Sequence, residues 1–247
     1  MQTRSFKTSL SKMEIIGFLA TRHGFRRYLE LCTPTTGTYY EKLDRQILPT
    51  AHRLMYNCPA NFEDGLVIDF RSDGLDIGEC LSEINSKGLR YDIILVDSWH
   101  EYDTSYRDLR DAFDLIDEGG MLVVHDCLPP NAASTGAKFI PGGWCGLSYK
   151  AYLDFVYARH DLDYFTVDTD IGCGIIRKLK QRVEPRQHGL LWLKHFVERR
   201  QRRLLWRQWH KIKNDVEWGF FFFIKHKDKL LNLISVDEFL ESSANLR

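Results

Sequence analysis

Acidic and imidazole side chains follow two uninterrupted apolar segments of this chain. The first segment leads into Asp97 and His100, and the second leads into His125 and Asp126. An apolar run without polar alternation is typical of a strand that is buried on both faces of a parallel sheet. Ligands of open α/β sheets bind just beyond the carboxyl ends of such strands. We therefore expect one crevice where carboxylates offer hard oxygen ligands to a cation and an imidazole transfers a proton.

A simpler interpretation is that Asp97 and Asp126 only cap a helix or a turn, as aspartate often does. Each of the two, however, ends a buried apolar segment. Two independent caps at equivalent places are a less economical explanation than one shared site.

The residues between the two segments favour a parallel arrangement. Apolar residues recur at helical spacing over 104–117. Thr104 or Ser105 is predicted to cap this helix at its start, and Gly119 at its end. Strand, helix and strand in this order form a right-handed βαβ unit.

Further strands and helices alternate along the rest of the chain. Strands are predicted at 27–32, 52–56, 67–70, 164–168 and 173–177. Helices are predicted at 39–47, 77–87 and 149–160, with an amphipathic helix around 15–20 that covers the sheet. The last two strands are predicted to form an antiparallel hairpin. The pattern indicates an α/β fold with a Rossmann-like, doubly wound and mostly parallel sheet that ends in this hairpin.

Length and cysteine usage narrow the class of protein. The 247 residues suffice for one large α/β domain and an appendage. The six cysteines are scattered without a C-x-x-C pair, which argues against a zinc site and for reduced thiols. No apolar segment approaches the roughly eighteen residues of a membrane span, and the N-terminus lacks a signal-peptide cleavage pattern. These features favour a cytoplasmic location.

Positive charge is concentrated near the C-terminus, although the formal net charge is zero. Residues 177–213 carry thirteen Lys or Arg against two Glu. We therefore expect a catalytic domain over 1–180 and a basic, Trp-rich helical extension over 181–247. Three interpretations of the extension stay open: it lies on the anionic inner membrane face, it packs on the acidic domain or on a second subunit of a homo-oligomer, or it binds nucleic acid. Without an RNA-binding motif, nucleic acid is the least favoured.

A strand that ends in an acid, followed by a glycine-containing loop, lies near the N-terminus. Glu30 is the acid, and Gly37 ends the loop. The arrangement resembles motif I of class I S-adenosylmethionine-dependent methyltransferases.

A second pair of motifs narrows the resemblance. Val96-Asp-x-x-His-x-Tyr102, followed by Gly-Gly-x-x-x-x-His-Asp126, resembles the branch of sugar and small-molecule O-methyltransferases that includes macrocin, mycinamicin and cephalosporin-hydroxylase-like proteins. The resemblance covers residues 14–178. It implies a methyltransferase fold over this range.

The resemblance also implies S-adenosylmethionine as the cofactor. The residues that it assigns to the cofactor are Glu30, Thr33, Gly37, Asn57, Ser72, Asp73 and Asp97. Asn57 stands near the position where the family usually has an acid for the ribose, and an amide would form a weaker hydrogen bond there. Ser72 and Asp73 resemble the loop on the adenine side.

The mycinamicin-type branch further implies roles for Asp97, His100, His125 and Asp126. Its acid pair holds Mg²⁺, and the histidine of Asp-x-x-His is the general base. Carried over, Asp97 and Asp126 would be the metal ligands and His100 the base, whereas His125 stands where these relatives usually have a second acid. A sugar hydroxyl needs a base, a metal or both at neutral pH. Two alternatives therefore stay open: a Mg²⁺ site, or catalysis by His100 without a metal while Asp97 orients it.

The implied function is methyl transfer to a sugar hydroxyl of a glycan or glycolipid-like acceptor. Chain length and the Cys-Thr-Pro-Thr-Thr-Gly loop further resemble the nodulation-type fucose 2-O-methyltransferases of rhizobia, which act on lipo-chitooligosaccharides. In the glycine-rich loop 129–146, Trp144 either stacks on the acceptor or anchors the loop. Two alternatives from other classes are a nucleic-acid methyltransferase that uses the basic tail and an inactive cofactor-binding scaffold.

Overall fold

A computed structural model describes residues 9–34, 40–59, 65–97, 99–180 and 190–242 of the chain. The strands in these ranges are β1 Arg27–Cys32, β2 Thr50–Met55, β3 Phe70–Arg71, β4 Tyr91–Val96, β5 Ile116–Val124, β6 Leu162–Val167, β7 Cys173–Lys178 and β8 Leu233–Ile234. The α-helices are α1 Lys12–His23, α2 Gly78–Ser86, α3 Tyr102–Leu115, α4 Ser148–Ala158, α5 Leu190–Ile212, α6 Val216–Leu230 and α7 Val236–Ser242.

The strands form one sheet in the order β3-β2-β1-β4-β5-β7-β6-β8. Strands β1 to β5 are parallel, and β7 lies antiparallel between β5 and β6. The order therefore reverses between β1 and β4, which is the place where open α/β sheets bind ligands. The predicted fold class, with its terminal antiparallel hairpin, is confirmed.

Helices cover both faces of the sheet, which is why most side chains of its central strands are apolar. Along β4, Ile94 and Val96 belong to a core shared with α3 and α4. The alternate residues Ile93 and Leu95 belong to a second core shared with α1 and α7. Because successive side chains of a strand point to opposite faces, only an unbroken apolar run satisfies both cores.

The boundaries of α3 differ from the prediction. It begins at Tyr102 after Glu101 and not at a Thr104 or Ser105 cap. It ends at Leu115, because Ile116 already pairs with Tyr91 in the parallel register of β4 and β5. The predicted C-cap Gly119 lies instead within β5.

The helix predicted at 39–47 is not present as such in the described residues. Only a single 3₁₀ turn at Tyr40–Lys42 forms there. Tyr40 is buried, and its hydroxyl donates a 2.6 Å hydrogen bond to the carbonyl of Ala51. Tertiary contacts of this aromatic ring thus outweigh the helical pattern of the segment.

Side chains of the described part of the C-terminal extension pack on the rest of the structure. Trp209 of α5 is fully buried, and its indole N–H donates to the carbonyl of Gly219 at 3.1 Å. Trp206 stacks on Tyr157 of α4, with ring centroids 5.5 Å apart. Strand β8 then pairs with β6 at the edge of the sheet. Among the described helices, none combines the length and the apolar character needed to cross a bilayer.

Candidate active site

The residues after β1, β4 and β5 lie at one edge of the sheet because these strands end in register. Leu31 pairs with Val96, and Val96 pairs with Val124. The ladder continues beyond the strands: Asp97 N–H donates to the carbonyl of Leu31 at 2.9 Å, and His125 N–H donates to the carbonyl of Val96 at 3.1 Å. Flush parallel ends thus place the two acidic segments side by side.

The four side chains predicted from the sequence come together in a buried cluster. His100 Nε2 lies 3.2 Å from Asp126 Oδ2 and 3.7 Å from Asp97 Oδ1. His125 Nδ1 lies 2.9 Å from the same Asp126 oxygen. Asp126 has a φ of 59°. This left-handed backbone costs free energy in a residue with a Cβ, and such outliers concentrate at functional sites.

The loop 129–146 orients His100. The His100 Nδ1 atom lies 2.6 Å from the carbonyl oxygen of Trp144, so that Nδ1 carries a proton and donates it there. The other ring nitrogen, Nε2, is buried without a hydrogen-bond partner among the described residues and faces the carboxylates. In neutral His100 this Nε2 is therefore the proton acceptor.

Gly146 makes the close approach of this loop to His100 feasible. Its φ is 55°, and an added Cβ would lie 2.6 Å from the His100 Cβ and would overlap the His100 carbonyl. We expect Gly146→Ala to lower the free energy of unfolding by about 2–4 kcal/mol, because backbone strain and overpacking add. Urea denaturation measures it. Gly142→Ala is the matched control, since Gly142 has a φ of 88° but open space around its Cβ position. Equal losses in the two variants would show that contact with His100 does not matter.

Two members of the cluster carry no motif that sequence reasoning could use. Lys12, the first residue of α1, places Nζ 2.5 Å from Asp97 Oδ2. Asp170, in the turn between β6 and β7, lies 3.4 Å from His125 Nε2 through Oδ1. A lysine at the start of an amphipathic helix was the only sequence signal for the position of Lys12. Such lysines are usually solvated, so this signal does not predict a buried one.

Charge pairing sets the ionisation of the cluster. Burial raises the pKa of Asp97, but the Lys12 ammonium and His125 outweigh it and hold that pKa well below its usual value. Burial lowers the pKa of His100, but proximity to Asp97 and Asp126 outweighs it and raises that pKa. The pKa of His125 is raised in the same way by Asp97, Asp126 and Asp170.

The arrangement does not fit Mg²⁺, although the ligand atoms of Asp97, His100 and Asp126 lie within 4.8 Å of one another. Mg²⁺ requires near-octahedral oxygen ligands, and the third donor is an imidazole. Lys12 Nζ already contacts one Asp97 oxygen, and His125 Nδ1 contacts one Asp126 oxygen. A divalent cation would have to share both carboxylates with these groups.

The predicted cofactor residues differ in their accessibility. Glu30 is fully buried, 3.4 Å from Arg53 Nε of the neighbouring strand, and it accepts a 3.1 Å hydrogen bond from Tyr28. Thr33 is also buried, whereas Asn57 is half-buried at the end of β2 with a φ of 56°. Gly37 lies outside the described residues.

The two predicted residues after β3 lie at the same edge of the sheet. The Ser72 hydroxyl donates to the carbonyls of Gly74, at 3.2 Å, and of Asp76. The exposed Asp73 pairs with Arg71 at 3.3 Å. With Asn57, they present amide, hydroxyl and carboxylate groups whose chemistry fits ribose hydroxyls and an adenine edge.

An aromatic cluster lies beside His100. The rings of Trp99 and Phe139 stack with centroids 5.5 Å apart, and Trp144 meets both edge-on. The His100 ring lies 5.2 Å from that of Trp144. Trp144 is buried, whereas Phe139 is 46% exposed. Of the two sequence interpretations of Trp144, the geometry favours loop anchoring, and Phe139 and Trp99 are the rings nearer to solvent.

Several solved structures that resemble this chain are O-methyltransferases. TomG from Streptomyces achromogenes, which is involved in tomaymycin synthesis and was solved with S-adenosylmethionine, is 16% identical, and the match covers 70% of this chain and 82% of TomG with a TM-score of 0.50. An O-methyltransferase from Bacillus cereus, solved with S-adenosylhomocysteine, is 14% identical over 69% of this chain and 82% of that chain, with a TM-score of 0.45. MycE of the mycinamycin biosynthetic pathway, solved with Mg, S-adenosylhomocysteine and mycinamycin VI, is 16% identical over 70% of this chain and 50% of MycE, with a TM-score of 0.42.

Sequence comparison adds no closer relative. No protein-family model matches the chain, and no curated protein matches its sequence. At such low identity the likeness to TomG bears on the fold alone. The chain has the Rossmann-like fold of a methyltransferase.

Proposed function

We propose that this chain is an S-adenosylmethionine-dependent O-methyltransferase that acts on a sugar hydroxyl of a glycan or glycolipid-like acceptor. The observation that carries the proposal is the buried cluster of Asp97, His100 and Asp126 at the carboxyl edge of a methyltransferase-type sheet. When bound, S-adenosylmethionine supplies an electrophilic methyl group on a sulfonium sulfur. The chain must then position an oxygen in line with that methyl group and remove its proton.

His100 is the general base in this proposal. The Trp144 carbonyl keeps the proton on Nδ1, so that Nε2 accepts the proton of the acceptor hydroxyl. The resulting imidazolium is stabilised by Asp97 and Asp126, which lie 3.7 and 3.2 Å from Nε2. Asp97 and Asp126 therefore act through His100.

The cofactor side of the proposal keeps the residues predicted from the sequence. Thr33, Asn57, Ser72 and Asp73 follow the first three strands, at the edge where Asp97 follows β4. Glu30 would act mainly by shaping the end of β1, since its carboxylate is buried against Arg53. A glycan acceptor is supported by the solvent-facing rings of Phe139 and Trp99 beside the base, because aromatic faces stack on sugar rings.

Two measurements test the proposal. Titration calorimetry with S-adenosylhomocysteine should detect binding, and an absence of binding at millimolar ligand would favour an inactive scaffold. Labelled S-adenosylmethionine should then transfer its methyl group to a member of a glycan panel that includes fucosylated lipo-chitooligosaccharides. Transfer to RNA, with binding that falls steeply with salt, would instead identify a nucleic-acid methyltransferase.

Contact with the inner membrane face is a separable part of the proposal. The apolar face of α5 is used in packing, as Trp209 is fully buried. On α6, however, Trp218 and Phe221 are 66% and 60% exposed, and the last turn carries Lys227 and Lys229. Exposed apolar rings and lysines on one helix fit an anionic lipid surface. Flotation with anionic and neutral vesicles tests this contact.

The pH dependence of turnover follows from the raised pKa of His100. His100 must be neutral to accept a proton, so kcat/KM should rise with pH and reach half its maximum above about pH 6.5, the ordinary value for histidine. Asp126→Asn removes one of the carboxylates that favour the imidazolium, and we expect it to move this acid limb to lower pH. A profile that is flat from pH 6 to 9 would contradict the assignment of His100 as base.

A further inference from the structure

A lysine from the N-terminal helix occupies the carboxylate cluster. Lys12 Nζ lies 2.5 Å from Asp97 Oδ2, and the two side chains are 7% and 3% exposed. Lysine is almost never buried to this extent unless it is paired. At this hydrogen-bond distance, the Lys12 ammonium occupies the position beside Asp97 Oδ2 that a bound metal ion would need.

Backbone hydrogen bonds at the start of α1 fix the position of Lys12 and therefore of its ammonium group. Lys12 N–H donates to Asp170 Oδ2 at 2.7 Å. Just before the helix, Leu10 N–H donates to the hydroxyl of Thr169 at 3.0 Å. That hydroxyl in turn donates to the Leu10 carbonyl at 2.7 Å. A capping box between Ser11 and Glu14 fixes the helix start itself. Lys12 is thus anchored to the turn between β6 and β7.

The remaining carboxylate is engaged in the same way. His125 Nδ1 and His100 Nε2 lie 2.9 and 3.2 Å from Asp126 Oδ2. Asp97 and Asp126 therefore each present one oxygen to a cationic or proton-bearing group of the chain. A divalent ion added here would meet a fixed ammonium of like charge in a buried, weakly screened position.

We propose that the Lys12 ammonium is the resident cation of this pocket, so that the centre binds no divalent metal unless Lys12 is removed. Lys12 then stabilises the Asp97 carboxylate that faces His100, and it is a positioning residue. The link to catalysis rests on the proposed function, whereas the claim about metal binding does not.

Electron paramagnetic resonance of Mn²⁺ tests the proposal on the folded full-length chain. The wild-type protein should leave the signal of free Mn²⁺ unchanged at roughly millimolar metal. Lys12→Met keeps the backbone donor to Asp170 and removes the charge, and it should bind Mn²⁺ roughly tenfold or more tightly than wild type. Lys12→Met/Asp97→Asn should lose this binding again. Lys12→Arg and the exposed Lys87→Met serve as controls and should behave as wild type.

Two results would overturn the proposal. One is tight Mn²⁺ binding by the wild-type protein that Asp97→Asn abolishes. The other is a correctly folded Lys12→Met protein, judged by circular dichroism, that gains no Mn²⁺ affinity. If Lys12→Met does not fold, tight Mn²⁺ binding by the wild-type protein would still overturn the proposal. Methyl transfer should also be insensitive to EDTA in wild type; failure to detect any transfer bears on the proposed function and leaves the Mn²⁺ result standing.

Discussion

Replacing His100 by alanine is expected to lower methyl transfer by about 10²–10⁴-fold, the range that a positioned general base contributes. His100 Nε2 is the buried acceptor that faces Asp97 and Asp126, and no protein group among the described residues hydrogen-bonds to it. Its removal takes away the proposed proton acceptor and leaves unchanged the strand ends that we propose to bind the cofactor. Initial rates with labelled S-adenosylmethionine measure the loss.

Three comparisons make this experiment specific. S-adenosylhomocysteine affinity of His100→Ala should match that of wild type by calorimetry. His160→Ala removes an exposed histidine and should retain full turnover. Added imidazole should restore part of the His100→Ala rate, because it can occupy the cavity left by the ring. A general base usually contributes far more than about twofold. If turnover of His100→Ala stays within about twofold of wild type, a group other than His100 removes the proton of the acceptor hydroxyl.

Replacing Arg53 by methionine is expected to destabilise the fold by about 3–5 kcal/mol, because it strands a buried carboxylate. Arg53 is fully buried in β2, directly opposite Glu30 of β1, with Nε 3.4 Å from Glu30 Oε1. Its guanidinium also pairs with Glu41 at 2.8 Å and donates to the Val67 carbonyl at 3.1 Å. After the substitution Glu30 keeps only the Tyr28 hydroxyl among these contacts.

The sign of the pH dependence follows from Glu30. Burial already raises the pKa of Glu30 in the wild-type protein, while Arg53 lowers it. Without Arg53 the folded-state pKa rises further above the unfolded value of about 4.3, so protonation favours the folded variant at low pH. The destabilisation should therefore be smaller near pH 4 than at pH 8.

Chemical denaturation of Arg53→Met at several pH values measures this effect. The double variant Arg53→Met/Glu30→Gln removes the stranded charge and should recover part of the lost stability. A loss that does not change with pH, or no recovery in the double variant, would mean that Glu30 and Arg53 do not form a buried ion pair in the folded protein.

Several local features could be predicted because they depend on short-range patterns. The unbroken apolar run over 93–96 contributes side chains to two cores, and this pattern predicts a central parallel strand. Since parallel strands end at a common edge, the polar residues that follow them were expected to meet. The structure brings Asp97, His100, His125 and Asp126 within a few ångströms of one another.

Other features depended on contacts between residues far apart in the chain. Helix α3 ends earlier than predicted because Ile116 pairs with Tyr91. A single 3₁₀ turn forms where a helix was predicted, because the ring of Tyr40 is buried by tertiary contacts. The basic C-terminal helix has the same amphipathic pattern whether it lies on a membrane or on protein. In the described part of this helix, the buried Trp209 packs against protein.

The sequence by itself determined the fold class and the chemical groups at the edge of the sheet, because the hydrophobic period of each strand and helix is a local property and strands joined by helices run parallel and end at a common edge. Only the tertiary structure decided how these groups are neutralised. Lys12 is 85 residues from Asp97 in the chain, and Asp170 reaches His125 from the far hairpin. No local pattern distinguishes a lysine that will be buried against a carboxylate from one that stays in water, since the difference lies in which helix start meets which strand end.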